Sequence, residues 1–140
     1  MLANANPWVL AGIAIGMQWV AAIPAVLLQS EQFYDAWGSL TFVTTTLLST
    51  VSLIRGYESF SEAVALSPRA IVALTMVLLW SLRLGSFLIG RMMRDGKDRR
   101  FDKLKTNTRR FVVAWTLQGV WVSLDAVPAW ILAHATLLTK

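Results

Sequence analysis

Residues 70–101 read AIVALTMVLLWSLRLGSFLIGRMMRDGKDRRF, and this stretch decides the fold. From Ala70 to Met92 the run is largely apolar and carries no charge apart from Arg83 and the basic end at Arg91. At about 1.5 Å rise per residue, a helix of about 20 such residues crosses a hydrocarbon core of about 30 Å. Arg and Lys crowd the residues that follow, as expected where a span meets the membrane surface.

Three further runs have the same character, at about 8–29, 36–54 and 111–131. The 140 residues are 56% hydrophobic and only 15% charged, too few charges to clothe a soluble domain this small. Mean hydropathy, at +0.55, agrees. The expected fold is therefore all-α: one polytopic domain over residues 1–140 with about four transmembrane helices. The N-terminus, MLANANPW, lacks the basic region of a cleavable signal, and the first apolar run is too long for one, so it reads as a retained helix.

Lysine and arginine set the expected orientation. The first loop, SEQFYD, has none, and the second has Arg55 and Arg69. The third stretch has nine: Arg91, Arg94, Lys97, Arg99, Arg100, Lys103, Lys105, Arg109 and Arg110. The basic loop at about 93–110 is expected in the cytoplasm and both termini on the other side. Trp8, Trp37, Tyr57 and Trp130 fall near the expected interfaces, where amphipathic rings are favoured. The compartment follows the host: the endoplasmic reticulum in a eukaryote, the inner membrane in a bacterium. With no cysteine and one histidine, thiol chemistry and disulfides are excluded and no metal site is expected. Membrane lipids are expected partners and nucleic acid is not.

In lipid, helices associate through small residues and side-chain hydrogen bonds. Gly12 and Gly16 form one small-residue pair. Gln18, Ala22, Ala25 and Gln29 recur along one face of the first span, and Thr41, Thr45, Ser49 and Ser52 along the second. Gln118 and Asp125, seven apart, share a face of the fourth. These stripes read either as interhelical contacts or as the wall of a polar cavity.

Arg83 is harder to place. An arginine in mid-span costs about 2.5–3.5 kcal/mol on insertion scales and usually faces a partner or a wet cavity. It lies eight residues before Arg91, about 12 Å from the cytoplasmic end, and eleven before Arg94, about 16 Å along one face. Two guanidiniums so placed suit a long polyanion, whereas a pair with Asp125 would be diagonal. The basic loop reads equally as a topology signal and as a surface for anionic lipid.

WSLRLGSFLIGRMMRDGKDRRF, followed by WTLQGVWVSLDAVPAW, resembles the middle of membrane proteins related to the steroid 5α-reductases, in their broad bacterial and eukaryotic branch. The matching elements are Trp80, Arg83 and Leu84; Gly96, Asp98, Arg100 and Phe101; and Leu117 with Gln118. Upstream, Pro24, Glu31, Tyr34, Asp35 and Gly38 to Thr41 resemble the branch's first hairpin. The resemblance implies a membrane reductase that takes NADPH from the cytosol and passes hydride to a carbon–carbon double bond of a lipid or steroid-like substrate. It implies cofactor contacts at Arg83, Arg100 and Gln118. Charge and helical geometry add Arg91, Arg94 and Arg99. Glu31 and Tyr34 are the candidates for orienting or protonating substrate.

The chain departs from that pattern in lacking the Arg-His-Pro-Asn-Tyr element and the acid that follow in such reductases; His134 sits in AHA. An incomplete reductase is therefore expected: a truncated isoform, a fragment, or one partner of a split enzyme whose other half comes from a second chain. The alternatives are a non-catalytic membrane scaffold or subunit, and a small lipid-binding membrane protein.

Overall fold

The structure is a computed structural model that describes residues 6–96 and 98–139, with Arg100 by its backbone alone. Five α-helices follow one another: α1 Pro7–Leu28, α2 Tyr34–Arg55, α3 Phe60–Leu66, α4 Pro68–Asp95 and α5 Thr108–Leu138. A single 3-10 turn, Arg99–Phe101, interrupts the loop before α5, and no strand occurs among the described residues. The four long helices are the four expected spans, with α2, α4 and α5 each extended beyond the apolar run.

Local chemistry sets the ends. The Asn6 side chain accepts from the Val9 amide at 2.9 Å and Pro7 opens α1, so cap and fixed φ coincide at its start. Gln29 lies one residue past α1 in the left-handed region, at φ 47°. It therefore ends the helix rather than continuing the Gln18 stripe. The short helix α3 was not expected. Ser59 caps it by accepting from the Glu62 amide, but seven residues are too few to cross a membrane.

α1 packs chiefly on α5, and α2 chiefly on α4. The α2 stripe is buried in full: Thr41, Thr45, Ser49 and Ser52 all lie inside. Gln18 Nε2 donates to Thr41 Oγ1 at 2.7 Å, a cross-helix bond between two fully buried side chains. The Thr41 and Thr45 hydroxyls donate back to the carbonyls of Trp37 and Thr41, each at 2.8 Å. These stripes are interhelical contacts. Trp130, expected at an interface, is instead buried in a core with Leu10, Phe42, Leu53, Leu74 and Val122.

Glycines set the closest approaches, but not the expected pair. A Cβ at Gly12 or Gly16 would meet nothing within 4 Å. At Gly119 on α5 it would come within 2.9 Å of the Ile15 Cα, and at Gly85 on α4 within 2.8 Å of the Ser39 Cβ. The α1 backbone therefore lies against Gly119, and the Ser39 side chain against Gly85.

The outside is apolar. Trp19, Val20 and Ile23 of α1, Leu79 and Phe87 of α4, and Leu117, Trp121 and Leu124 of α5 are all exposed. A soluble protein does not present so continuous an apolar surface, and four helices long and apolar enough to cross a bilayer carry it. The molecule is an integral, multi-pass membrane protein in contact with lipid. Gly119→Val should drive a side chain into the α1 backbone and destabilise the fold by about 1–3 kcal/mol in detergent unfolding titrations. Gly12→Val should leave the midpoint nearly unchanged.

Candidate functional site

The loop between α4 and α5 folds back under the bundle, and most of the residues singled out above meet there. Gly96 ends α4 in the left-handed region at φ 72°, where a side chain would be strained. The turn brings the Asp98 amide to Glu31 Oε1 at 3.2 Å, and the Lys105 ammonium reaches Glu31 Oε2 at the same distance. Glu31 is 2% exposed, so the loop screens its carboxylate almost wholly from water. Arg91 joins three segments: its Nη2 donates to Asp35 of α2 at 2.8 Å and to Asp98 of the loop at 3.4 Å.

Aromatic rings fill the space above this clasp. Phe101 is buried with its ring 4.7 Å from that of Tyr34, which meets Trp115 edge-on at 4.9 Å. Tyr34 donates its hydroxyl hydrogen to the Ala114 carbonyl at 2.8 Å. Gly96, Asp98 and Phe101 of the loop motif thus have structural work: one turns the chain, one anchors it and one plugs the aromatic cluster. Glu31 and Tyr34, picked as chemical residues, are both bound into the clasp.

A groove of about 420 Å³ opens beside the clasp between α2, α4 and α5. Leu84, Leu88, Leu117 and Trp121 make most of its wall apolar, and Tyr34, Asp35 and Gln118 close its polar end. Gln118 Nε2 donates to the Tyr34 carbonyl at 2.9 Å, and a Cβ on Gly38 would collide with that amide. Gln118 Oε1 is buried with no hydrogen-bond partner. An unpaired buried acceptor is costly, and of the six such buried polar atoms among the described residues this is the one that belongs to a residue of the groove wall. The sequence motif selected Gln118, but the groove needed the packing of three helices to become visible.

The basic residues divide into three groups. Arg91 is held by carboxylates. A second hollow of about 430 Å³ is lined by Arg91, Met92, Asp95, Asp98 and Arg99. Arg94 and Arg99 are exposed and have no ion pair among the described residues. The Arg100 side chain lies outside the described residues, as does Lys97. Arg83 stands apart. Ala70, Leu74, Ser81 and Gly85 form the buried face of α4, and Arg83 projects from the opposite side into a hollow of about 340 Å³ with Trp80, Leu84 and Phe87. It makes no pair with Asp125. No cluster of metal-ligating side chains is found among the described residues.

These features define a helical membrane protein with a clasped basic loop and a lateral, largely apolar groove. The chain belongs to the DUF1295 family, described as proteins of unknown function, whose model matches residues 21–138. No match to the chain was found among curated proteins or among solved structures.

Hydrogen bonds to Glu31 and then Asp102 hold the Lys105 ammonium above the ordinary lysine value. A raised value in the folded state means the clasp contributes fully at neutral pH and weakens as pH rises past about 10.4. Glu31→Gln should speed amide exchange across residues 98–107 by about tenfold, the scale of one charge-assisted hydrogen bond. Alkaline pH should loosen the same segment in the parent protein and change it little further in the variant.

Proposed function

We propose that the chain forms part of an NADPH-dependent membrane reductase that saturates a carbon–carbon double bond in a lipid or steroid-like molecule. The observation that carries this reading is the orphaned Gln118 Oε1 on the groove wall. It is an acceptor of the kind a carboxamide N–H satisfies, and the resemblance assigns a cofactor contact to this glutamine.

The donor set fits the cofactor in chemistry. Arg94 and Arg99 offer unpaired guanidiniums, which suit phosphate oxygens. Gly85 and Gln118 both lie against the first turns of α2, so they sit at nearly one level. Arg94 is nine residues farther along α4, about 13 Å nearer the loop end. Phosphate donors and the amide acceptor are thus separated along the bundle as a dinucleotide's two ends are. NADPH, when bound, supplies a hydride to the electron-poor carbon of a polarised double bond. The protein's own part is to hold the phosphates at Arg94 and Arg99, to orient a carboxamide at Gln118, and to seat an apolar substrate against Leu84, Leu88 and Trp121. Arg83 is left out of this set because it opens into a separate hollow with Trp80, Leu84 and Phe87.

A second reading, a non-catalytic scaffold or lipid-binding subunit, is favoured by the engagement of Glu31, Tyr34 and Arg91 in the clasp. Calorimetry on the protein in lipid nanodiscs separates the two. The reductase reading predicts that NADPH binds at least about tenfold more tightly than NADH, because only NADPH carries the extra phosphate. Replacing Arg94 and Arg99 together by Ala should abolish that preference. Equal affinity for both nucleotides, or a preference untouched by the double variant, favours the scaffold.

A further inference from the structure

Two charged side chains within the spans take no part in the clasp or the groove. Arg83 on α4 and Asp125 on α5 are both exposed, and among the described residues neither has an ion-pair or hydrogen-bond partner. In a bilayer each alone would face acyl chains, an arrangement membrane proteins avoid.

The two charges are opposite, and they open on one side of the molecule. Asp125 is seven residues from Gln118 and continues the α5 face that walls the groove. Leu84 of α4 lines both that groove and the Arg83 hollow, so the surface between the charges is continuous. Their depths also correspond. From the shared level of Gln118 and Gly85, Arg83 lies two residues toward the far end, about 3 Å, and Asp125 seven residues, about 10 Å. The remaining 7 Å or so is within side-chain reach, because Cβ atoms tilt toward a helix N-terminus. α4 and α5 run in opposite directions, so Arg83 leans toward the far end and Asp125 leans back to meet it. Within one chain they do not meet, since Arg83 projects from the side of α4 opposite its buried face.

We propose that this face is a two-fold interface between two copies of the chain, with Arg83 of each copy paired to Asp125 of the other. A two-fold contact requires a self-complementary surface, and one positive and one negative charge at corresponding depth provide it. The same contact covers Trp80, Phe87 and Trp121, which are 42%, 61% and 62% exposed. It also closes the lateral opening of the groove. The pairing stands on geometry and charge alone, independently of which ligand the groove takes.

Single-molecule photobleaching in liposomes, at a series of protein-to-lipid ratios, reads the dimer fraction. The parent protein should dimerise. Arg83→Asp and Asp125→Arg should each weaken association at least about tenfold, the loss of two ion pairs per dimer. The double variant Arg83→Asp/Asp125→Arg should recover it. A parent protein that stays monomeric at every ratio, or a double variant no better than the single ones, overturns the proposal. Because the chain has no cysteine, a second measurement covers variants that fail to fold. Arg83→Cys protein mixed with Asp125→Cys protein should be joined by a short bismaleimide, each being unreactive with itself. Absence of the mixed product, with both cysteines shown to be labelled by a monofunctional maleimide, also overturns it.

Discussion

A polar group inside a bilayer finds no water, so it must find protein, and the arrangement of this bundle follows from that constraint. Gln18 reaches Thr41 across the α1–α2 contact, Trp37 Nε1 donates to the Met17 carbonyl at 2.8 Å, and Gln118 donates to the Tyr34 carbonyl. The threonines of α2 turn their hydroxyls back onto their own helix. Apolar burial cannot by itself choose one helix register over another in lipid, whereas these directed bonds can. The close contacts of Gly85 with Ser39 and of Gly119 with Ile15 then bring the helices near enough for the bonds to form.

At the basic end the same constraint takes an ionic form. Glu31 is almost wholly buried and depends on Lys105 and the Asp98 amide; Arg91 depends on Asp35 and Asp98. The loop is therefore a folded part of the bundle. This changes how its arginines are read. A count of positive charge treats them alike, but Arg91 is held by carboxylates while Arg94 and Arg99 have no ion pair among the described residues.

Span number, span type and the buried stripe of α2 were legible in the sequence because length, apolarity and helical period are local properties. Gln18 and Thr41 were picked for the right reason. Gly12 and Gly16 were not, since spacing alone cannot say which glycine a neighbour approaches. Trp130 looked interfacial by position, but α5 runs on to Leu138 and carries it inside. The functional residues were legible as types only. Gln118 gained meaning when α2 and α4 closed a groove around it. The bonds that engage Glu31 and Tyr34, from the folded loop and to α5, are long-range contacts that no motif spacing displays. An arginine in mid-span implies a partner or a wet cavity, but the outward direction of Arg83 depends on which face of α4 meets α2.

Six buried polar atoms of the spans lack a partner among the described residues: Gln18 Oε1, Thr46 Oγ1, Trp115 Nε1, Gln118 Oε1, Trp130 Nε1 and His134 Nδ1. A bare charge costs far more than any of these, so Arg83 and Asp125 test the account most sharply. If every charge at membrane depth is met by protein, the outer face of α4 is covered in the bilayer. A nitroxide at Phe87→Cys, one turn from Arg83, reports this through its collision rate with oxygen, which concentrates among acyl chains. A nitroxide at Val20→Cys, 62% exposed on the outer face of α1, gives the reference for a lipid-facing site. The account predicts a severalfold lower oxygen collision rate at position 87 than at position 20. Equal rates at the two positions would contradict it.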